Sequence, residues 1–109
     1  MVRIDKWRVI NERELTIVLE GGTIKMNNKT LKTYRDIYTN PVKADIVWDD
    51  IEKMLLGLGA TLSEGNGSRV RVELNGERAV FHRPHPENTT DKGAIKSVRR
   101  FLENARVRL

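Results

Sequence analysis

Polar and apolar residues alternate strictly along Arg69-Val70-Arg71-Val72-Glu73-Leu74. A period of two puts Val70, Val72 and Leu74 on one face of a strand and Arg69, Arg71 and Glu73 on the other. Asn75-Gly76 follows, and both residues tolerate positive φ, so a tight hairpin turn is predicted. Arg78 to Phe81 then returns as the partner strand. Ahead of this hairpin, ATLSE over residues 60–64 reads as a further strand, joined to it by the flexible loop GNGS. The pattern turns helical on either side. In residues 44–60, Ile51, Met54, Leu55 and Leu58 share one face, with Asp49, Asp50 and Glu52 in the first turn, where the helix dipole favours acids. Gly59 stands where a left-handed cap ends such a helix. A last helix is capped by Thr90 or Asp91 and carries the stripe Ile95, Val98, Leu102 and Ala105. Both stripes read as core.

The order helix, three strands, helix predicts an α+β domain over residues 46–109. Consecutive strands with tight turns give a three-stranded antiparallel sheet. Two helices then cover its apolar face and leave the other face open. Residues 1–45 form an N-terminal extension. Its β-formers, Trp7, Val9 and Ile10 and then Leu15 to Leu19, predict a short hairpin or an edge strand, broken at Gly21-Gly22. Residues 29–41 place Leu31, Tyr34 and Ile37 or Tyr38 on one side of a short helical arm that stops at Asn40-Pro41. Met26, ahead of Asn27-Asn28-Lys29, is a candidate alternative start.

Composition narrows the chemistry. There is no cysteine, which excludes disulfides, thiolate zinc sites and a cysteine nucleophile. No apolar run approaches the ~20 residues that span a bilayer, and the charged start does not read as a signal peptide. A cytoplasmic protein without membrane contact is expected. Net charge is +5, and the basic surplus lies after residue 60. A basic half favours a polyanionic partner, although a solubilising surface explains a surplus of this size as well.

Two features stand out within that half. Arg69 and Arg71 share the polar face of one strand, and Arg78 extends the row if the hairpin register allows. Guanidinium forks match phosphate oxygens. Ser68, Arg69, Arg71 and Arg83, with Lys92 and Lys96 off the stripe of the last helix, are the candidate phosphate contacts. The chain's two histidines, His82 and His85, flank Arg83-Pro84 in a predicted loop. RNA cleavage by internal attack needs a base for the 2′-hydroxyl, an acid for the leaving oxygen and cations for the phosphorane. His82 and His85 beside arginines could supply these, and are the candidate catalytic residues. They could equally fix a turn, and alternating charges on a strand could be its solvated side. Neither a metal site nor a cofactor is expected, because the histidine spacing is not helical and no acids cluster beside it.

Taken in order, several points resemble the HicA family of toxins from toxin–antitoxin pairs. A helix ends in Leu55-Leu56-Gly57, Gly67-Ser68 opens a strand, Pro84-His85 follows the hairpin, and Gly93-Ala94-Ile95 opens the last helix. The likeness covers residues 46 to 107. It implies a double-stranded-RNA-binding-domain-like αβββα fold and metal-independent endoribonuclease activity on mRNA. It also implies silencing by a HicB-type antitoxin. The family usually carries Gly-Ser-His where this chain has Gly67-Ser68-Arg69, and that histidine is the family's catalytic residue. Arginine, with a pKa above ~12, cannot serve as a base near neutral pH. Either Arg69 holds a phosphate while His85 or His82 moves protons, or the chain is an RNA-binding module that cuts weakly or not at all, or its basic face is a protein-interaction surface for an acidic partner. The extension could pad the domain, dock the antitoxin or build a homo-oligomer through a β-rich arm on an open sheet edge.

Overall fold

The computed structural model describes the backbone of residues 4–11, 14–19 and 22–107, and side chains from residue 28 to 107. Gly21, expected to break the first β-rich run, lies outside the described residues. Three strands open the chain: β1 (Ile4–Asn11), β2 (Glu14–Leu19) and β3 (Gly22–Asn27). They pair as an antiparallel meander in the order β1-β2-β3. The sequence predicted a hairpin or an edge strand, and the third strand is the difference. Thr23 to Met26 pairs rung by rung with β2, Ile24 opposite Ile17 and Met26 opposite Leu15.

β3 runs straight into α1 (Asn28–Ile37). This arm is part of the hydrophobic core, to which Tyr34 and Ile37 both contribute. Its approach to the next helix is close. A Cβ built on Gly57 would lie 3.1 Å from Cγ2 of Thr30, so glycine suits this crossing. Arg99 holds the far end of the arm. Its Nε donates to the Ile37 carbonyl at 2.6 Å and its Nη2 to the Thr39 carbonyl at 2.7 Å. A cation suits these carbonyls, which carry the negative end of the helix dipole. Arg99→Ala is expected to lower stability by about 2 kcal/mol, since these two charged hydrogen bonds and a longer third one to Asn40 Oδ1 go and the arm loosens. Urea denaturation checks this, and a loss below about 0.5 kcal/mol would show the arm to be held by packing alone.

The remaining elements are β4 (Ile46–Val47), α2 (Trp48–Gly57), β5 (Thr61–Glu64), β6 (Arg69–Leu74), β7 (Glu77–His82), β8 (Thr89–Thr90) and α3 (Lys92–Asn104). β5, β6 and β7 form a three-stranded antiparallel sheet in that order. Val70, Val72, Leu74 and Phe81 are buried on one face beneath α2 and α3. α2 supplies Trp48, Ile51, Met54 and Leu55. α3 supplies Ile95, Val98, Phe101 and Leu102, and its N-cap Asp91 accepts from the Ala94 amide at 2.7 Å. Each such side chain contributes about 1.5–3 kcal/mol by leaving water. The architecture is therefore α+β, consistent with a double-stranded-RNA-binding-domain-like αβββα arrangement.

Two details differ from the expectation. Ile46–Val47, read as the lead-in to the helix, pairs with Thr89–Thr90 from the predicted loop, and the Trp48 amide donates to the Asn88 carbonyl at 2.9 Å. This small ribbon pins the long β7–α3 connection. His82 ends β7 rather than lying in a loop, because it pairs with Arg69, and the Arg83 amide extends the ladder to the Ser68 carbonyl at 2.8 Å.

Candidate nucleic-acid interface

The two-residue turn at Asn75 (φ 53°) and Gly76 (φ 83°) fixes the register of the hairpin. Arg69 then stands opposite His82, Arg71 opposite Val80, and Glu73 opposite Arg78. β5 adds Ser63 beside Arg71 and Thr61 beside Glu73. All these residues are exposed, and the pleat sends them to the side away from the helices. Directly opposed residues have their Cβ atoms about 4.5–5.5 Å apart, so the Arg69 and His82 side chains are neighbours. Neither Arg69 nor Arg71 has an acidic partner among the described residues, whereas Arg78 reaches Glu73 at 3.4 Å.

Ser68 sits at the mouth of this ladder, held by the bond from the Arg83 amide. The Arg83 side chain is committed elsewhere. Its Nε and Nη2 donate to Glu52 at 2.7 and 3.2 Å, and its Nη1 to Glu64 at 2.5 Å. Trp48 Nε1 also donates to Glu52. This latch ties α2, β5 and the end of β7 together. It fixes the start of the loop that carries His85, which is exposed and makes no hydrogen bond among the described residues.

Lys92 and Lys96 do not join that face. With Arg100 they are exposed at four-residue steps along α3, opposite the buried stripe Ile95, Val98 and Leu102. Since that stripe faces the sheet, the lysines point away from it. Ser68, Arg69, Arg71 and His82 are thus brought together, His85 stands near them in sequence, and Lys92 and Lys96 lie on another surface. Sequence reasoning missed Val80 and Ser63 on the open face, and Glu52 and Glu64 behind it. The register set by Asn75-Gly76 would have placed Val80. Nothing local announces Glu52, which is 31 residues from Arg83. Among the described residues, no three His, Asp or Glu side chains are grouped to hold a metal, and no helix is long and apolar enough to cross a membrane.

The latch gives stability a pH dependence. Burial pushes the Glu52 carboxyl up, but the hydrogen bonds from Arg83 and Trp48 outweigh it, and the net pKa lies below the ordinary carboxylate value. The Arg83 guanidinium is pushed up by its bonds to Glu52 and Glu64. A carboxyl lowered on folding stabilises the protein above its unfolded pKa, and that contribution is lost as pH falls through the folded value. Stability is therefore expected to hold at neutral pH and to fall as acidification carries this group through and below the ordinary carboxylate range. Urea midpoints at stepwise lower pH check this. Glu52→Gln should flatten the acid limb, and an unchanged limb would show that the latch contributes nothing to it.

An αβββα domain with an open cationic sheet face and an imidazole at its edge defines the class. Residues 48–107 match the family model described as the HicA toxin of bacterial toxin–antitoxin. The chain belongs to that HicA toxin family. No curated protein and no solved structure matches it.

Proposed function

We propose that this chain is an RNA-binding toxin that cleaves mRNA without metal or cofactor and is held silent by a HicB-type antitoxin. The observation that carries this reading is the Arg69–His82 rung, which places an unpaired guanidinium directly opposite an exposed imidazole. Family membership supports the toxin role, and the charge of the open face supports a polyanionic substrate.

In the proposed reaction Arg69 and Arg71 hold one phosphodiester. His82 accepts the 2′-hydroxyl proton as the 2′-oxygen attacks phosphorus. The bond from phosphorus to the 5′-oxygen breaks, and His85, as imidazolium, returns a proton to that oxygen. The products are a 2′,3′-cyclic phosphate and a 5′-hydroxyl. Charge on the phosphorane is met by the two guanidinium groups. Ser68 adds a hydroxyl at the mouth of the site. Arg83 serves by placing the histidine loop, since its donors are taken by Glu52 and Glu64. Lys92 and Lys96 would meet RNA only where it wraps to the outer side of α3.

The test is incubation of purified protein with mRNA, with and without EDTA and with a HicB-type antitoxin. Cleavage that persists in EDTA, ends in cyclic phosphates and stops with the antitoxin is expected. Intact RNA, or cleavage that needs a metal, would overturn the catalytic reading. The arginine at position 69 favours one second reading, a toxin-like RNA-binding module without cleavage. It predicts salt-sensitive binding weakened by Arg71→Ala, with the RNA intact.

A further inference from the structure

We infer that the shallow groove beside the Arg69–His82 rung seats one unstacked nucleobase of a single-stranded RNA. This rests on the reading of the chain as an RNA-directed toxin, and it names the form of RNA the site takes. The groove, of about 520 Å³, lies on the open face between Arg71 and Arg78 and is lined by Val80, Ser63 and Thr61. Val80 is 54 % exposed in the middle of an otherwise polar face. An isolated apolar residue between two guanidinium groups is poorly explained by phosphate binding. It suits a flat π-system lying on the sheet, with cationic planes at its sides.

The order of the rungs supports this. Successive outward rungs on a strand are about 6.6–6.8 Å apart, of the order of one nucleotide step. The first rung, Arg69 and His82, is wholly polar and suits the scissile phosphate. The second, Ser63–Arg71–Val80, offers an apolar floor, a cation and a hydroxyl. The third, Thr61–Glu73–Arg78, pairs its carboxylate with its guanidinium and so offers no free cation to a second phosphate. With Arg71 shared with the scissile phosphate of the first rung, the Val80 floor before the third rung suits a base and not a second phosphate. Bases of a duplex are stacked and cannot enter, so the substrate at this point is single-stranded.

Val80→Ser removes the floor without adding charge. The probes are a short 2′-O-methyl oligoribonucleotide of mixed sequence, which resists cleavage, its variants with one abasic residue at each position in turn, and the same sequence as a duplex. Each is titrated at several salt concentrations. The wild type is expected to bind the single strand more tightly than the duplex, and one abasic position should cost about tenfold while others cost little. In Val80→Ser that single penalty should vanish, with the salt slope unchanged and the melting temperature close to wild type. Salt-dependent binding in which every abasic position behaves alike would overturn the base seat and leave the RNA reading standing. So would an intact abasic profile in Val80→Ser together with weakened antitoxin binding, since the groove would then be a protein contact. Absence of any RNA binding would overturn both.

Discussion

His82→Ala is expected to slow mRNA cleavage by about 100- to 10,000-fold while leaving RNA affinity within about twofold, since the imidazole moves a proton and carries little of the binding. The case rests on position. His82 ends β7 on the open face, opposite Arg69. It is exposed, so its loss leaves no cavity, and the melting temperature should not move. Arg71→Ala should do the reverse. It removes one phosphate contact and lowers the salt slope of binding by about one, with a smaller effect on the rate at saturating RNA. Arg69→Ala should affect both, because its guanidinium meets the phosphate before reaction and the phosphorane during it. Single-turnover cleavage and filter binding on the same RNA separate these effects. Cleavage unchanged in His82→Ala would move the proton transfer to another group and remove the Arg69–His82 rung from the mechanism.

Arg83→Ala is expected to destabilise the fold by about 3 kcal/mol, a fall of about 10–20 °C in melting temperature for a domain of this size. The magnitude follows from what is left behind. The Glu52 side chain is only 17 % exposed and would keep Trp48 as its remaining donor. An under-paired, largely buried carboxylate costs several kcal/mol, moderated here by the side that still meets water. Glu64 is 71 % exposed, so Glu64→Ala should cost no more than about 0.5 kcal/mol. Arg83→Lys should recover only part of the loss, because a single ammonium cannot span the two carboxylates that the guanidinium fork joins. Urea denaturation of the three variants tests the ranking. Equal effects for Arg83→Ala and Glu64→Ala would mean that the latch is a surface ion pair and no more.

The parts of the fold that were legible in the sequence are those whose determinants are close together. The alternation from Arg69 to Leu74 and the turn at Asn75-Gly76 fix both the faces and the register of the hairpin. The stripe Ile95, Val98 and Leu102 fixes which side of α3 is buried. The illegible parts are long-range. Arg99 finds the Ile37 carbonyl across 62 residues, and Arg83 finds Glu52 across 31. Neither pairing leaves a local period or motif. Ile46–Val47 and Thr89–Thr90 are too short to show a β pattern, and their pairing depends on how α2 and α3 are already placed. In the candidate site, Arg69 and Arg71 could be named because strand alternation and chemistry coincide there, whereas His82 is singled out by its imidazole alone and the register carries it from the expected loop onto the strand. Arg83 looks the same in sequence, and only the fold turns its charge towards Glu52 and Glu64. Lys92 and Lys96 share the basic composition of Arg69 but are turned away with the outer side of α3. Composition records charge and not the direction in which a helix presents it.

The docking of α1 also bears on how the molecule can be divided. The family match begins at Trp48, yet Tyr34 and Ile37 are already interior residues. A fragment cut at the family boundary would leave bare the patch of α2 and α3 that those two side chains cover. It would also free the Arg99 guanidinium from its carbonyl acceptors. Such a fragment would be greasier than its parent and would carry a newly unpaired guanidinium, and so be prone both to self-association and to indiscriminate adhesion to polyanions. Expression trials that keep the helical arm avoid mistaking that stickiness for genuine RNA recognition.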